Sequence, residues 1–286
     1  MRESYHLATV SFLNCLPLVD WFATPEGRAR ATLTAALPSL LAPLLADGRA
    51  DAALLPTAEI LRARAAGLVG SSGIACYGPV DSVKLYYRGP LGGLRRVAVD
   101  RGSRTSVALL HVLLAETVGA VPPFLEVEPR PGALPAPDEG VLVIGDRCFA
   151  FDRWLSQDAE AAATLQALDL GQAWLDLTDL PFVFAAWAAA PDLAGRVGEA
   201  GVRELDALLV RARDHGLARL PELAAREAAA GALGPGGWQT AAALESYFRR
   251  SLRYPLGPAE LDGIRRFHEL GVRHGLLPPE PGLRVL

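Results

Sequence analysis

The chain has 286 residues, about half of them apolar, with 21% charged residues and a net charge of −4. That length exceeds the size at which a single hydrophobic core usually stops growing, so two lobes with a cleft between them are expected. The acidic balance argues against a general electrostatic grip on nucleic acid or an anionic membrane, and an anionic ligand must therefore be held by local donors.

Met1 to Val10 lacks the basic and apolar regions of a secretory signal, and no apolar run reaches the roughly 18 residues of a membrane span. Cys15, Cys76 and Cys148 are odd in number and lack CxxC spacing, as suits reduced thiols. A cytoplasmic protein is expected. Lys84 is the only lysine, a bias read as genomic composition rather than chemistry.

In chain order, His6 to Val10 reads as a strand, with Pro17 breaking the segment that follows. Leu37 to Asp47 reads as a helix, Asp51 to Pro56 as a buried strand and Thr57 to Ala66 as a helix. This β-α-β-α rhythm favours a mainly parallel sheet. Ile74 to Tyr77 and Ser82 to Tyr87 read as extended runs, and the loop at Gly89 as a first crossing between lobes. Arg96 to Asp100, Phe124 to Glu128 and Gly140 to Gly145 read as strands of a second α/β unit, with a helix opened by Ser103 and running to Glu116. Pro129 to Gly140 carries four prolines and reads as a surface loop. Leu180 to Trp187 reads as a buried strand returning to the first lobe. Helical spacing follows over Val197 to Gly216, Pro221 to Gly231, Trp238 to Ser251 and Pro258 to His274. The domains expected are 1–89 plus 185–286 for one lobe and 90–184 for the other.

Polar clusters fall where strands end: Ser11 with Asn14, Ser82, Ser103-Arg104-Thr105-Ser106, and Gly145-Asp146. In open α/β sheets ligands collect at the carboxyl ends of strands, where loops and helix amino termini face a crevice. The Ser103 to Ser106 cluster is the strongest of these, because hydroxyls and free N–H groups at a helix start bind a carboxylate without net positive charge. Ser103 reads equally well as an ordinary N-cap, Ser82 as a half-buried strand residue beside Lys84, and Asn14 as a turn former. There is no GxSxG elbow, HExxH, EF-hand loop, paired CxxC, P-loop or dinucleotide fingerprint, so no metal and no cofactor is implied.

Ser11-Phe12-Leu13-Asn14-Cys15-Leu16-Pro17-Leu18, Leu55-Pro56-Thr57-Ala58-Glu59 and Gly78-Pro79-Val80-Asp81-Ser82-Val83-Lys84-Leu85 resemble successive motifs of the chorismate dehydratase family of the futalosine route to menaquinone. Asp100 to Ser106, Leu142 to Asp146, Asp169 to Trp174 and Leu180 to Ala185 continue the resemblance in the family's order over the first two thirds of the chain. The resemblance implies an α/β, two-lobed, type II periplasmic-binding-protein-like fold, with a ligand cleft between lobes and crossings near Gly89 and Phe184. It implies a hydro-lyase reaction on chorismate, giving 3-[(1-carboxyvinyl)oxy]benzoate and water without a cofactor. It further implies that the substrate's enolpyruvyl carboxylate acts as base, with Asn14 and Ser82 orienting the reacting groups. Substrate contacts are expected from Ser11, Ser103, Arg104, Thr105, Ser106, Gly145 and Asp146. Phe12 and Asp179 stand where the family commonly has tyrosine and glycine. Two other functions share this fold: a cytoplasmic, non-catalytic binder of a small carboxylic acid, and the later dihydroxynaphthoate-forming enzyme of the same route.

Overall fold

The computed structural model describes residues 4–62, 65, 67–100, 102–231, 240–280 and 283–286. The first stretch of chain forms β1 (Tyr5–Thr9), α1 (Leu16–Val19), α2 (Pro25–Arg30), β2 (Ala31–Ala35), α3 (Pro38–Ala46), β3 (Ala52–Pro56), α4 (Thr57–Leu61) and β4 (Gly67–Cys76). The middle forms β5 (Val83–Tyr87), β6 (Arg96–Asp100), α5 (Thr105–Thr117), β7 (Phe124–Val127), β8 (Glu139–Ile144), α6 (Arg147–Gln157), α7 (Ala159–Thr164), β9 (Gln166–Asp169) and α8 (Leu170–Thr178). The return forms β10 (Phe182–Ala189), α9 (Leu193–Ala218), α10 (Leu220–Ala229), α11 (Ala241–Ser246), β11 (Arg253–Pro255) and α12 (Pro258–Arg273). Helix α9 is broken at Gly198. Trp238, where a further helix was expected to start, lies outside the described residues, as do residues 63, 64 and 66 of the helix expected after Thr57.

Two sheets divide these strands. One runs β11-β4-β10-β3-β1-β2 and the other β7-β6-β8-β5-β9. Neither is simply parallel. In each, the strand that follows a crossing inserts antiparallel between two others: β10 between β3 and β4, β5 between β8 and β9. A chain entering a sheet from the cleft side must run away from the cleft, opposite to strands whose carboxyl ends face it. Val83 to Tyr87 therefore pairs in the second sheet, and the crossing lies at Tyr77–Ser82, before the strand rather than at Gly89. Phe182 and Val183 likewise pair with β4 in the first sheet, so the return falls at Asp179–Pro181, ahead of Phe184.

Register carries the functional consequence. Val83 pairs with Ile144 and Ala185 with Pro56, so each inserted strand brings its amino end to the carboxyl edge of its neighbour. The second crossing is held by aromatic packing: Phe182 meets Trp174 of α8, Phe184 and Phe267 of α12 at ring-centroid separations of 5.2, 4.6 and 5.1 Å, all edge-on. Such pairs add roughly 0.5–1.5 kcal/mol each beyond the area they bury. The segment after Asn14 is fixed from the other side, where buried Asp20 accepts from Arg219 at 3.2 Å and Arg226 at 2.7 Å. No helix among the described residues is long and apolar enough to cross a membrane.

Helix α12 approaches the return crossing so closely that a Cβ on Gly263 would stand 2.0 Å from the Pro181 carbonyl oxygen. Gly263→Ala must push the helix off the crossing, and overpacking of this kind costs about 1–3 kcal/mol. Urea unfolding is expected to show that loss as a lower midpoint.

Candidate active site

One cavity opens between the two sheets, with about 650 Å³ of empty space including its mouth, within the range of small-molecule sites. Its walls are largely apolar, among them Phe12, Pro56, Ile74, Val80 and Phe184. Into it converge Asn14, Ser82, Ser103, Arg104, Thr105, Ser106 and Gly145, from four separate stretches of chain. Ser11 is exposed and Asp146 stands just behind; neither lines it.

Each side chain is placed by its local structure. Asn14 sits in a 3-10 turn at Leu13–Cys15 that follows β1. Burial pushes the Cys15 thiol up to about 12, so it stays protonated and donates to Asn14 Oδ1 at 3.3 Å. That contact occupies the acceptor end of the amide and leaves its NH₂ donors for the cavity. Ser82, only 1% exposed, precedes β5, and its carbonyl accepts from the Gly145 N–H at 2.7 Å. Gly145 has φ +64°, and a Cβ there would meet the Phe12 ring at 3.3 Å; glycine thus lets the ring lie over the turn. Lys84 points elsewhere, bonded to Asp152 at 2.7 Å.

The opening of α5 supplies the remaining donors. The helix starts one residue later than expected, with Arg104 at the N-cap position and no side-chain cap. Ser103 is therefore not the capping serine that its sequence setting allowed. Its hydroxyl is buried without a partner and the residue lines the cavity. A buried polar atom left unpaired is costly, so Ser103 Oγ is disposed to bond a ligand. Thr105 Oγ1 accepts from the Ala58 N–H of α4 at 3.1 Å, joining the two lobes at the cavity rim. The first-turn N–H groups of a helix lack in-helix acceptors and carry partial positive charge. Arg104 is the one charged side chain among the described lining residues.

Asp146 is the N-cap residue of α6 but does not cap it. Its carboxylate instead crosses to the Leu13 N–H, at 3.3 and 3.4 Å from its two oxygens. Desolvation, with the Leu13 N–H opposing it and Glu227 adding repulsion, raises its pKa to about 6. The folded value stands above the unfolded one, so the ionised form weakens the fold: stability is fully present below about pH 4 and is lost as pH rises through 6. Asp146→Asn keeps an acceptor for Leu13 without the charge. Thermal melts should show the variant more stable by on the order of 2 kcal/mol at pH 8, with the difference vanishing near pH 4.

The family model described as menaquinone biosynthesis matches residues 5–273. A chorismate dehydratase of Thermus thermophilus is 34% identical over 245 residues, covering 82% of this chain and 84% of that protein. Among solved structures, a protein of Archaeoglobus fulgidus superposes with a TM-score of 0.63 at 13% identity, over 96% of this chain and 99% of its own. The periplasmic aliphatic sulphonate binding protein of Escherichia coli gives 0.61 at 18% identity, over 97% and 94%. A Candida albicans protein described as having the generic periplasmic binding protein fold also gives 0.61, at 12% identity, over 96% and 90%. These structures establish the two-lobed fold alone. The sequence matches go further: this chain belongs to the menaquinone biosynthesis family.

Proposed function

We propose that the protein is a chorismate dehydratase, a carbon–oxygen lyase that removes water from chorismate to give 3-[(1-carboxyvinyl)oxy]benzoate, in the cytoplasm and without a resident cofactor. The observation that carries this reading is the convergence of Asn14, Ser82 and the hydroxyl-lined opening of α5 in one apolar cavity, with Arg104 the single arginine among the described lining residues. The identity to a chorismate dehydratase across 82% of the chain supports it.

The ring carboxylate would sit at the start of α5, on the Ser103 and Ser106 hydroxyls and the first-turn N–H groups, with Arg104 as its counter-ion. Removal of the proton from the ether-bearing ring carbon sends negative charge toward that carboxylate, and donors already aimed there stabilise it as it develops. The substrate's enolpyruvyl carboxylate takes the proton, the neighbouring carbon loses its hydroxyl, and the two leave as one water. No oxidant or reductant is consumed. Aromatisation supplies the driving force, so what the protein provides is orientation and exclusion of bulk water. The Asn14 NH₂ and the Ser82 hydroxyl hold the base and the leaving hydroxyl in register. The crossings between lobes would be Tyr77–Ser82 and Asp179–Pro181.

Purified protein mixed with chorismate should yield a product lighter by one water, followed by chromatography and mass spectrometry. Asn14→Ala and Ser82→Ala should each lower kcat by about 10²–10³ while remaining folded; wild-type turnover in both sinks these assignments. Chorismate that binds without turnover points to a carrier instead. Arg104→Gln is expected to raise KM about tenfold or more, with a smaller change in kcat and a weaker salt dependence of binding.

A further inference from the structure

Helix α5 carries the donors for the ring carboxylate at its start and a second polar cluster, outside the cavity, at its end. In its last turn Glu116 accepts from His274 Nε2 at 2.6 Å and from Arg273 Nη1 at 3.3 and 3.4 Å. An ionised carboxylate can only accept, so the histidine proton sits on Nε2. The hydrogen bond from His274, opposed by desolvation and aided by Arg273, holds the Glu116 carboxyl below its ordinary range. These partners belong to different halves of the molecule. Helix α5 links β6 to β7 of the second sheet, whereas Arg273 ends α12, His274 follows it, and α12 packs through Phe267 on Phe182 of β10 in the first. At the other end of α5, Thr105 Oγ1 accepts from the Ala58 N–H, again across the halves. Between these two fastenings the helix is apolar on every side, with Leu109, Leu110, Val112 and Leu113 all buried. Apolar packing is non-directional and does little to fix the slide and rotation of a helix, so the polar contacts at its two ends set its position.

We propose that Glu116 is a positioning residue for the dehydration: its grip on His274 and Arg273 docks α5 against the first half of the molecule and so sets the share of protein standing closed around the cavity before substrate arrives; this rests on the dehydratase reading above. Ser106 and Glu116 stand about 15 Å apart along the helix, at 1.5 Å per residue, so the carboxylate touches no substrate atom and acts through α5 alone. Glu116 and His274 are 20% and 22% exposed, which makes the clasp a modest one that opens readily. A ligand that binds the closed form has its apparent affinity lowered in proportion to the closed fraction, so a loosened clasp raises KM. At saturation the substrate itself drives closure, and kcat is preserved.

The test compares the full-length wild type with Glu116→Ala, Glu116→Gln, His274→Ala and the double variant Glu116→Ala/His274→Ala. Each is followed for chorismate turnover, melting temperature and, without ligand, radius of gyration by small-angle X-ray scattering. Glu116→Ala should raise KM about threefold to tenfold, leave kcat within about twofold, and enlarge the ligand-free radius. Glu116→Gln still accepts from His274 and should fall between the wild type and Glu116→Ala, which keeps the comparison decisive if the alanine variant folds poorly. The double variant should match Glu116→Ala, since His274 acts through that carboxylate. An unchanged KM and radius in Glu116→Ala, even with a lower melting temperature, reduces the contact to a plain stabilising one and overturns the positioning role. A loss confined to kcat overturns it as well. Wild-type protein that consumes no chorismate overturns the dehydratase reading; the clasp then stands or falls on the scattering comparison, which needs no turnover.

Discussion

The carboxylate of Asp169 holds the cleft together. It ends β9 and caps α8, accepting from the Gly171 and Gln172 N–H groups at 2.9 and 3.2 Å, and reaches across to the Val80 and Asp81 N–H groups at 3.0 and 2.8 Å. Burial raises its pKa despite these donors, and four N–H groups on one carboxylate are what make a desolvated charge tolerable. Through it the start of α8 is tied to the first crossing. Asp81 adopts a left-handed conformation there, with φ +61°, and the chain turns so that Ser82 faces Gly145 and β5 enters the sheet in register with Ile144. The place of Ser82 in the cavity follows from that turn.

The cavity is economical in charge. Among the described lining residues a doubly negative substrate would meet one arginine, and otherwise hydroxyls, an amide and the end of a 13-residue helix. Fixed dipoles in an apolar enclosure need little reorganisation as charge moves, and they lose less to water than the same groups would at a surface. The Asp146 carboxylate is turned to the Leu13 N–H and does not line the cavity.

Much of this was legible in the sequence where the signal was local. Strand ends followed by Asn14, Ser82, the Ser103 to Ser106 run and Gly145 mark the cavity, because ligands collect at the carboxyl ends of strands in any open α/β sheet. Ser11 belongs to the same stretch as Asn14 yet faces out, and a single turn of 3-10 helix is enough to separate them. Where the chain passes between the sheets is less legible, since sheet membership of β5 and β10 depends on partners 53 to 61 residues away in β8, and on β3 and β4, and not on any local pattern. The short strands β2, β9 and β11 went unread for a similar reason: Ala31–Ala35 is mostly exposed and shows no alternation to find.

The insertion of β10 also sets the order in which the molecule can be built. The second sheet draws all five strands from residues 83–169, an unbroken stretch of chain. The first cannot join β3 to β4 until residues 182–189 exist, because β10 lies between them. On a ribosome, where synthesis proceeds residue by residue and units close as they become complete, the lobe that comes second in the sequence is the first able to finish its sheet. The largely buried strands β3 and β4 must wait meanwhile with open edges, a stage at which aggregation competes with folding.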